Sequence, residues 1–188
     1  MALNKNWMMK YHAAGIKTFV ESGLYLGETV KNALDVDLFD KIISIELSPS
    51  FADSGRRKFS RCSNVEIVEG DSSLMFPAVL SKLAVENRRA MFWLDAHYSS
   101  GDTARALKLS SIEDELLALS NHSIKDNVIF IDDMRYMTLK EGHHGIEVER
   151  LVELVKSINN DYEIEFIDPY AAHKGILAPQ ILVASVSK

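Results

Sequence analysis

Ala90-Met91-Phe92-Trp93-Leu94-Asp95 is an uninterrupted apolar run closed by an aspartate. A strand apolar on both faces belongs inside a parallel sheet, where crossover helices cover it from either side. Val128-Ile129-Phe130-Ile131-Asp132 repeats the pattern. Working outward, Thr18-Phe19-Val20-Glu21, Lys41-Ile42-Ile43-Ser44-Ile45-Glu46 and Val65-Glu66-Ile67-Val68-Glu69 are further short strand-like segments, each ending in an acid. Helical patterns fill the intervals, over residues 27–34, 50–61, 73–87, 111–120 and 146–158. The last places Ile146, Val148, Leu151, Val152, Leu154, Val155 and Ile158 on one face. Ser110 with Glu113 three residues on forms a capping box that sets the start of the fourth of these helices. Strands alternating with helices predict an α/β, doubly wound sheet with right-handed crossovers.

The tail breaks the alternation. Tyr162–Ile167 and Gln180–Ser185 read as strands, and the connection 168–179 contains Pro169, Gly175 and Pro179, which argue against a helix. Two strands joined without a crossover are antiparallel neighbours. The expectation is therefore a mostly parallel seven-stranded sheet with a C-terminal antiparallel hairpin. It occupies one domain over 1–188, with a leading helix in 1–17 and an α/β core in 18–188. The first 17 residues carry Lys5, Lys10 and Lys17 and no acid, which superficially suggests a transit peptide. They lack arginine and run directly into a strand, so a helix with Trp7, Met8, Tyr11 and Ala14 on one face is the better reading.

Composition bounds the function. The chain has 188 residues, 47% hydrophobic and 26% charged, enough for a sizeable core without staples. Its 21 basic and 27 acidic residues give a net charge of −6, which argues against a nucleic-acid binder held by phosphate contacts. No polybasic run suggests a membrane surface, and no apolar run approaches the ~18 residues of a membrane span. A single cysteine, Cys62, rules out an internal disulfide and fits a reducing, cytoplasmic compartment.

In an open parallel sheet, ligands bind beyond the carboxyl ends of the strands, so the residues closing each strand are the place to look. The first junction, Glu21-Ser22-Gly23-Leu24-Tyr25-Leu26-Gly27-Glu28-Thr29, has two glycines four apart, allowing a tight turn and close backbone approach to a ligand. A purely structural turn reads equally well, and the G-x-G-x-x-G spacing of dinucleotide binders is missing. Glu46 ends the next strand, 19 residues after Gly27, where a carboxylate can grip both hydroxyls of a ribose or simply face solvent. At Glu69-Gly70-Asp71-Ser72, Asp71 could accept from an adenine amino group or cap the following helix. In register at successive strand ends, these residues describe a nucleoside site. Asp95-Ala96-His97-Tyr98 and Asp132-Asp133 close the last two parallel strands and bring three carboxylates towards one point. Like charges that close imply a bound cation or a raised pKa, and hard oxygen ligands suit Mg²⁺, Mn²⁺ or Ca²⁺. The plainer alternative is that Asp132 or Asp133 caps a turn.

This ordered set of acids resembles the class I S-adenosylmethionine-dependent methyltransferases, and most closely the metal-dependent macrocin O-methyltransferase type. The resemblance covers about residues 18–187 and implies a Rossmann-like fold. It also implies that Glu21, Gly23 and Gly27 cradle the methionine part of S-adenosylmethionine, with Glu46 on the ribose and Asp71 and Ser72 on the adenine side. The metal acids it implies are Asp95, Asp132 and Asp133, with Mg²⁺ the expected ion. One departure concerns the base. The family commonly has an aspartate two residues after the first metal acid, and this chain has His97, a competent base or a metal ligand. A second departure is size, since the short lead-in leaves little room for helices that cover the substrate.

The function expected is methyl transfer to a hydroxyl of a small molecule (sugar, phenol or polyketide), with Asp95 and His97 at the reacting end. A non-catalytic S-adenosylmethionine-binding regulatory or assembly protein is the alternative, and nicotinamide-dependent oxidoreduction is a third reading suggested by Glu46. A second copy of the chain, as a homodimer, is one way to cover so open a site. Residues 98–109 and 138–145, the latter with Gly142-His143-His144-Gly145, read as substrate loops, and Asp168-Pro169-Tyr170 reads as a turn.

Overall fold

The computed structural model describes residues 2–13, 15–95, 111–134, 146–167 and 180–186. The chain runs α1 (Lys5–Tyr11), β1 (Ile16–Ser22), α2 (Glu28–Asp35), β2 (Lys41–Glu46), α3 (Pro49–Lys58), β3 (Val65–Glu69) and α4 (Ser72–Val85). It continues with β4 (Arg89–Leu94), α5 (Ile112–Asn121), β5 (Val128–Ile131), α6 (Val148–Ile158), β6 (Tyr162–Ile167) and β7 (Ile181–Val186). The seven strands form one sheet in the order β3-β2-β1-β4-β5-β7-β6. β1 to β5 are parallel, and β7 inserts antiparallel between β5 and β6. The doubly wound α/β sheet with its antiparallel C-terminal pair is thus as the sequence predicts.

The apolar runs sit where that logic requires. Every residue from Ala90 to Leu94 and from Val128 to Ile131 is buried, because alternate side chains enter two separate cores. Met91, Trp93, Val128 and Phe130 join Phe19, Ile42, Val30 of α2, Met8 and Tyr11 of α1, and Phe59, which follows α3. Phe92, Leu94, Ile129 and Ile131 face Phe76 and Leu80 of α4, Leu116 and Leu119 of α5, and Leu151 and Val155 of α6. Ile146, Val148 and Val152 pack against the same core, so the apolar stripe of the last predicted helix is used throughout. The strand β1 begins two residues earlier than predicted, at Ile16, and α1 is confined to Lys5–Tyr11. There Asn4 caps the helix by accepting from the Trp7 amide at 3.1 Å. The predicted capping box is not what starts α5. Ser110 lies outside the described residues, and the N-cap position belongs to Ser111, whose hydroxyl reaches Glu115 instead of a helix amide. Among the described residues, no helix is long and apolar enough to cross a membrane.

Candidate functional site

Parallel register sets the site. Ile45, Ser22, Leu94 and Ile131 stand side by side across β2, β1, β4 and β5. One residue further on, the alternation of side chains brings Glu46, Gly23, Asp95 and Asp132 to the same level on one face. The ladder continues past the strand ends to hold them, with Gly23 N–H donating to Ile45 O (2.9 Å), Asp95 N–H to Ser22 O (3.1 Å) and Asp132 N–H to Leu94 O (3.1 Å). Candidate residues scattered over more than a hundred positions therefore share one row because four strands share one register.

The first loop is built on left-handed backbone. Gly23 has φ +94° and Gly27 φ +73°, and non-glycine Tyr25 between them has φ +49°. Gly27 occupies the N-cap position of α2, and a Cβ added there would stand 2.8 Å from the Phe59 ring. A side chain at 27 is excluded by both backbone and packing. The loop is pinned from the neighbouring strand. The Glu46 carboxylate accepts from Tyr25 N–H (2.9 Å, Oε2) and Ser48 N–H (2.8 Å, Oε1), which fixes it at the mouth of the turn.

Glu21 lies beneath this row, fully buried in β1, between Ser44 of β2 and Trp93 of β4. Its Oε1 accepts the Ser44 hydroxyl at 2.6 Å, while Oε2 has no partner among the described residues. Burial pushes the Glu21 carboxyl up to about 8, against the opposing pull of the Ser44 hydroxyl and with added repulsion from Asp95 and Glu46. It is thus largely a neutral acid near pH 7, with one oxygen available for a new partner. Asp71 takes the helix-capping geometry at the start of α4. Its Oδ1 accepts from the Ser73 amide (3.0 Å) and hydroxyl (2.7 Å). The buried Ser72 hydroxyl donates to Ser111 at 2.8 Å.

Asp95, Asp132 and Asp133 come together. Each offers a carboxylate oxygen within 4.8 Å of the others. Asp133 reaches this position with φ +56°, a conformation that turns the chain immediately after the strand. Asp132 is fully buried, and burial followed by the charge of Asp95 holds its carboxyl well above the usual carboxylate range. The donor set is all-oxygen and compact, which fits a hard divalent cation. His97, with loops 98–109 and 138–145 and the 168–170 turn, lies outside the described residues.

Two participants were not foreseen from sequence. Gln180, just before β7, donates its amide to Asp132 Oδ1 at 2.9 Å and also to Asp133 Oδ1. Only the antiparallel insertion of β7 beside β5 places it there, so no local signal announces it. Glu115 is buried in α5 and bonded to Ser22 and Ser111. Its position between Ile112 and Leu116 on the apolar face of the helix is the signal that could have found it.

No family model and no curated protein matches the chain. Solved structures do. A putative rRNA methylase from Clostridium thermocellum aligns with TM-score 0.64 at 12% identity, over 98% of this chain and 97% of that one. The N-methyltransferase NodS from Bradyrhizobium japonicum WM9 aligns with TM-score 0.60 at 10% identity, over 97% and 94%. An O-methyltransferase from Bacillus cereus, solved in complex with SAH, aligns with TM-score 0.57 at 14% identity, over 97% and 78%. Identities this low carry the fold and not the acceptor or the chemistry. The seven-stranded sheet with its antiparallel C-terminal pair is the Rossmann-like α/β fold shared with these methyltransferase structures.

Proposed function

We propose that the chain transfers the methyl group of S-adenosylmethionine to a hydroxyl of a small molecule, assisted by a divalent cation. The observation that carries this is the row Glu46–Gly23–Asp95–Asp132 at the carboxyl ends of the parallel strands, where Asp133 joins Asp95 and Asp132. The residues fit the cofactor. Gly23 and Gly27 would let backbone approach the methionine part, Glu21 Oε2, which has no partner among the described residues, would bond there, and Glu46 would meet the ribose hydroxyls. Asp71, whose carboxylate caps α4, would act on the adenine side as well, with Ser72 beside it at the helix start. A net charge of −6 favours a small acceptor over a nucleic acid.

Methyl transfer from a sulfonium needs alignment more than activation. Bound S-adenosylmethionine would supply an activated methyl group for attack by the acceptor oxygen, the carbon–sulfur bonding pair leaving on sulfur as S-adenosylhomocysteine. The hydroxyl proton goes to His97, two residues past Asp95. Asp95, Asp132 and Asp133 would hold the cation, Mg²⁺ for this donor set, and a cation there lowers the pKa of a bound hydroxyl. Gln180 keeps the Asp132 and Asp133 carboxylates facing the same point.

Calorimetric titration with S-adenosylhomocysteine tests the cofactor directly, and absence of binding at millimolar ligand ends the proposal. The metal step is separate. Asp95→Asn, or a chelator, should abolish turnover and spare cofactor binding, whereas full activity in chelator leaves acid–base catalysis alone.

A further inference from the structure

Glu115 is a buried acid that the proposed chemistry leaves without a task. It projects from the first turn of α5 into the face of the sheet opposite Glu21, since neighbouring residues of β1 alternate and Ser22 points the other way. Its Oε2 accepts the Ser22 hydroxyl at 3.1 Å and its Oε1 the Ser111 hydroxyl at 2.8 Å. Ser111 in turn accepts the Ser72 hydroxyl at 2.8 Å. All four side chains are buried.

These serines come from three segments. Ser22 ends β1, between Glu21 and the first loop, Ser72 follows Asp71 directly at the start of α4, and Ser111 precedes α5. We propose that Glu115 is a positioning residue for the cofactor site, joining the glycine loop and the Asp71 corner to α5 so that both stand in place before a ligand arrives. The inference rests on reading the crevice as an S-adenosylmethionine site. Ordering two loops on binding costs affinity, and a loop already fixed avoids that cost. A carboxyl is suited to the task because it accepts from two hydroxyls at once, at two different oxygens. Burial pushes the Glu115 carboxyl up to about 7, and the hydroxyls of Ser72, Ser111 and Ser22 draw it back. An amide of the same shape preserves the arrangement, because the Ser22 hydroxyl can turn to accept from it.

The test compares S-adenosylhomocysteine affinity in wild type, Ser22→Ala, Glu115→Ala and Glu115→Gln, with thermal melts to establish that each is folded. Neither mutated side chain faces the crevice, so a purely structural role moves the melting temperature and leaves affinity alone. Ser22→Ala is expected to weaken binding about fivefold and Glu115→Ala about tenfold, with Glu115→Gln within about twofold of wild type. Wild-type affinity in Ser22→Ala overturns the inference, even if Glu115→Ala fails to fold. So does a Glu115→Gln variant that binds as weakly as the alanine. Wild-type protein that takes no S-adenosylhomocysteine removes the cofactor reading itself, and this inference with it.

Discussion

Glu115 and Asp132 are both fully buried acids near the same sheet edge, on opposite faces, and their neighbours could hardly differ more. Glu115 is met by hydroxyls, which donate to it from Ser22 and Ser111. Asp132 lies beside the Asp95 and Asp133 carboxylates, and its Oδ1 accepts from the Gln180 side-chain amide and the Asp133 backbone amide. Burial raises both carboxyls. The first environment is made of neutral hydroxyls, whereas the second gathers two further carboxylates beside Asp132. Burial alone thus marks neither residue as a ligand site, and the chemistry of the neighbours separates an anchor from a candidate metal centre.

The contrast can be broken most decisively by removing one charge from each side. Asp132→Asn is expected to lower Mn²⁺ affinity on the order of a thousandfold, about 4 kcal/mol, while Glu115→Gln leaves it unchanged. Paramagnetic titration with Mn²⁺ measures both, and equal losses in the two variants would erase the distinction.

Proton linkage sharpens it next. A carboxyl with a raised folded pKa binds more protons folded than unfolded between the two values, so stability falls as pH rises through that window. For Glu115 the contribution is fully present below the unfolded value near 4.5 and lost as pH passes about 7. The loss is roughly 3 kcal/mol, from 1.36 kcal/mol per unit. Urea unfolding of wild type and Glu115→Gln across that range should show the wild type losing this much relative to the variant. Parallel pH profiles would mean that Glu115 titrates folded as it does unfolded.

Gln180→Ala leaves the Asp132 and Asp133 carboxylates without their shared donor and is expected to weaken Mn²⁺ about tenfold, as loss of a supporting hydrogen bond typically does. An unchanged affinity would make Gln180 only a strut for β7. The smallest effect belongs to Ser111→Ala, about 1 kcal/mol of stability by denaturant titration with Mn²⁺ affinity unaffected.

How far the sequence reveals each region follows from the same contrast. The apolar runs before Asp95 and Asp132 announce buried parallel strands, and their register then aligns Glu46, Gly23, Asp95 and Asp132 with no further information. The hairpin was legible from Pro169, Gly175 and Pro179, but not that β7 would insert beside β5 and carry Gln180 to the aspartates. That placement depends on a pairing between strands some fifty residues apart. The anchor was harder still. Glu115 reads as one acid among Glu113 and Asp114 in the first turn of a helix, and only its spacing from Ile112 and Leu116 sets it apart. Serines such as Ser22, Ser72 and Ser111 give no periodic signal, since a hydroxyl is tolerated in a loop, a cap or a core. The capping box misplaced by one residue has the same origin.

The insertion of β7 also orders events during synthesis. β6 borders only β7, so neither can join the sheet until residues 181–186 have been made. The first five strands and the glycine loop can assemble earlier, as the chain emerges from its N-terminal end. The carboxylate trio can therefore receive the Gln180 amide only after β7 has been made. A nascent chain would hold its glycine loop well before Asp132 and Asp133 were fixed in place.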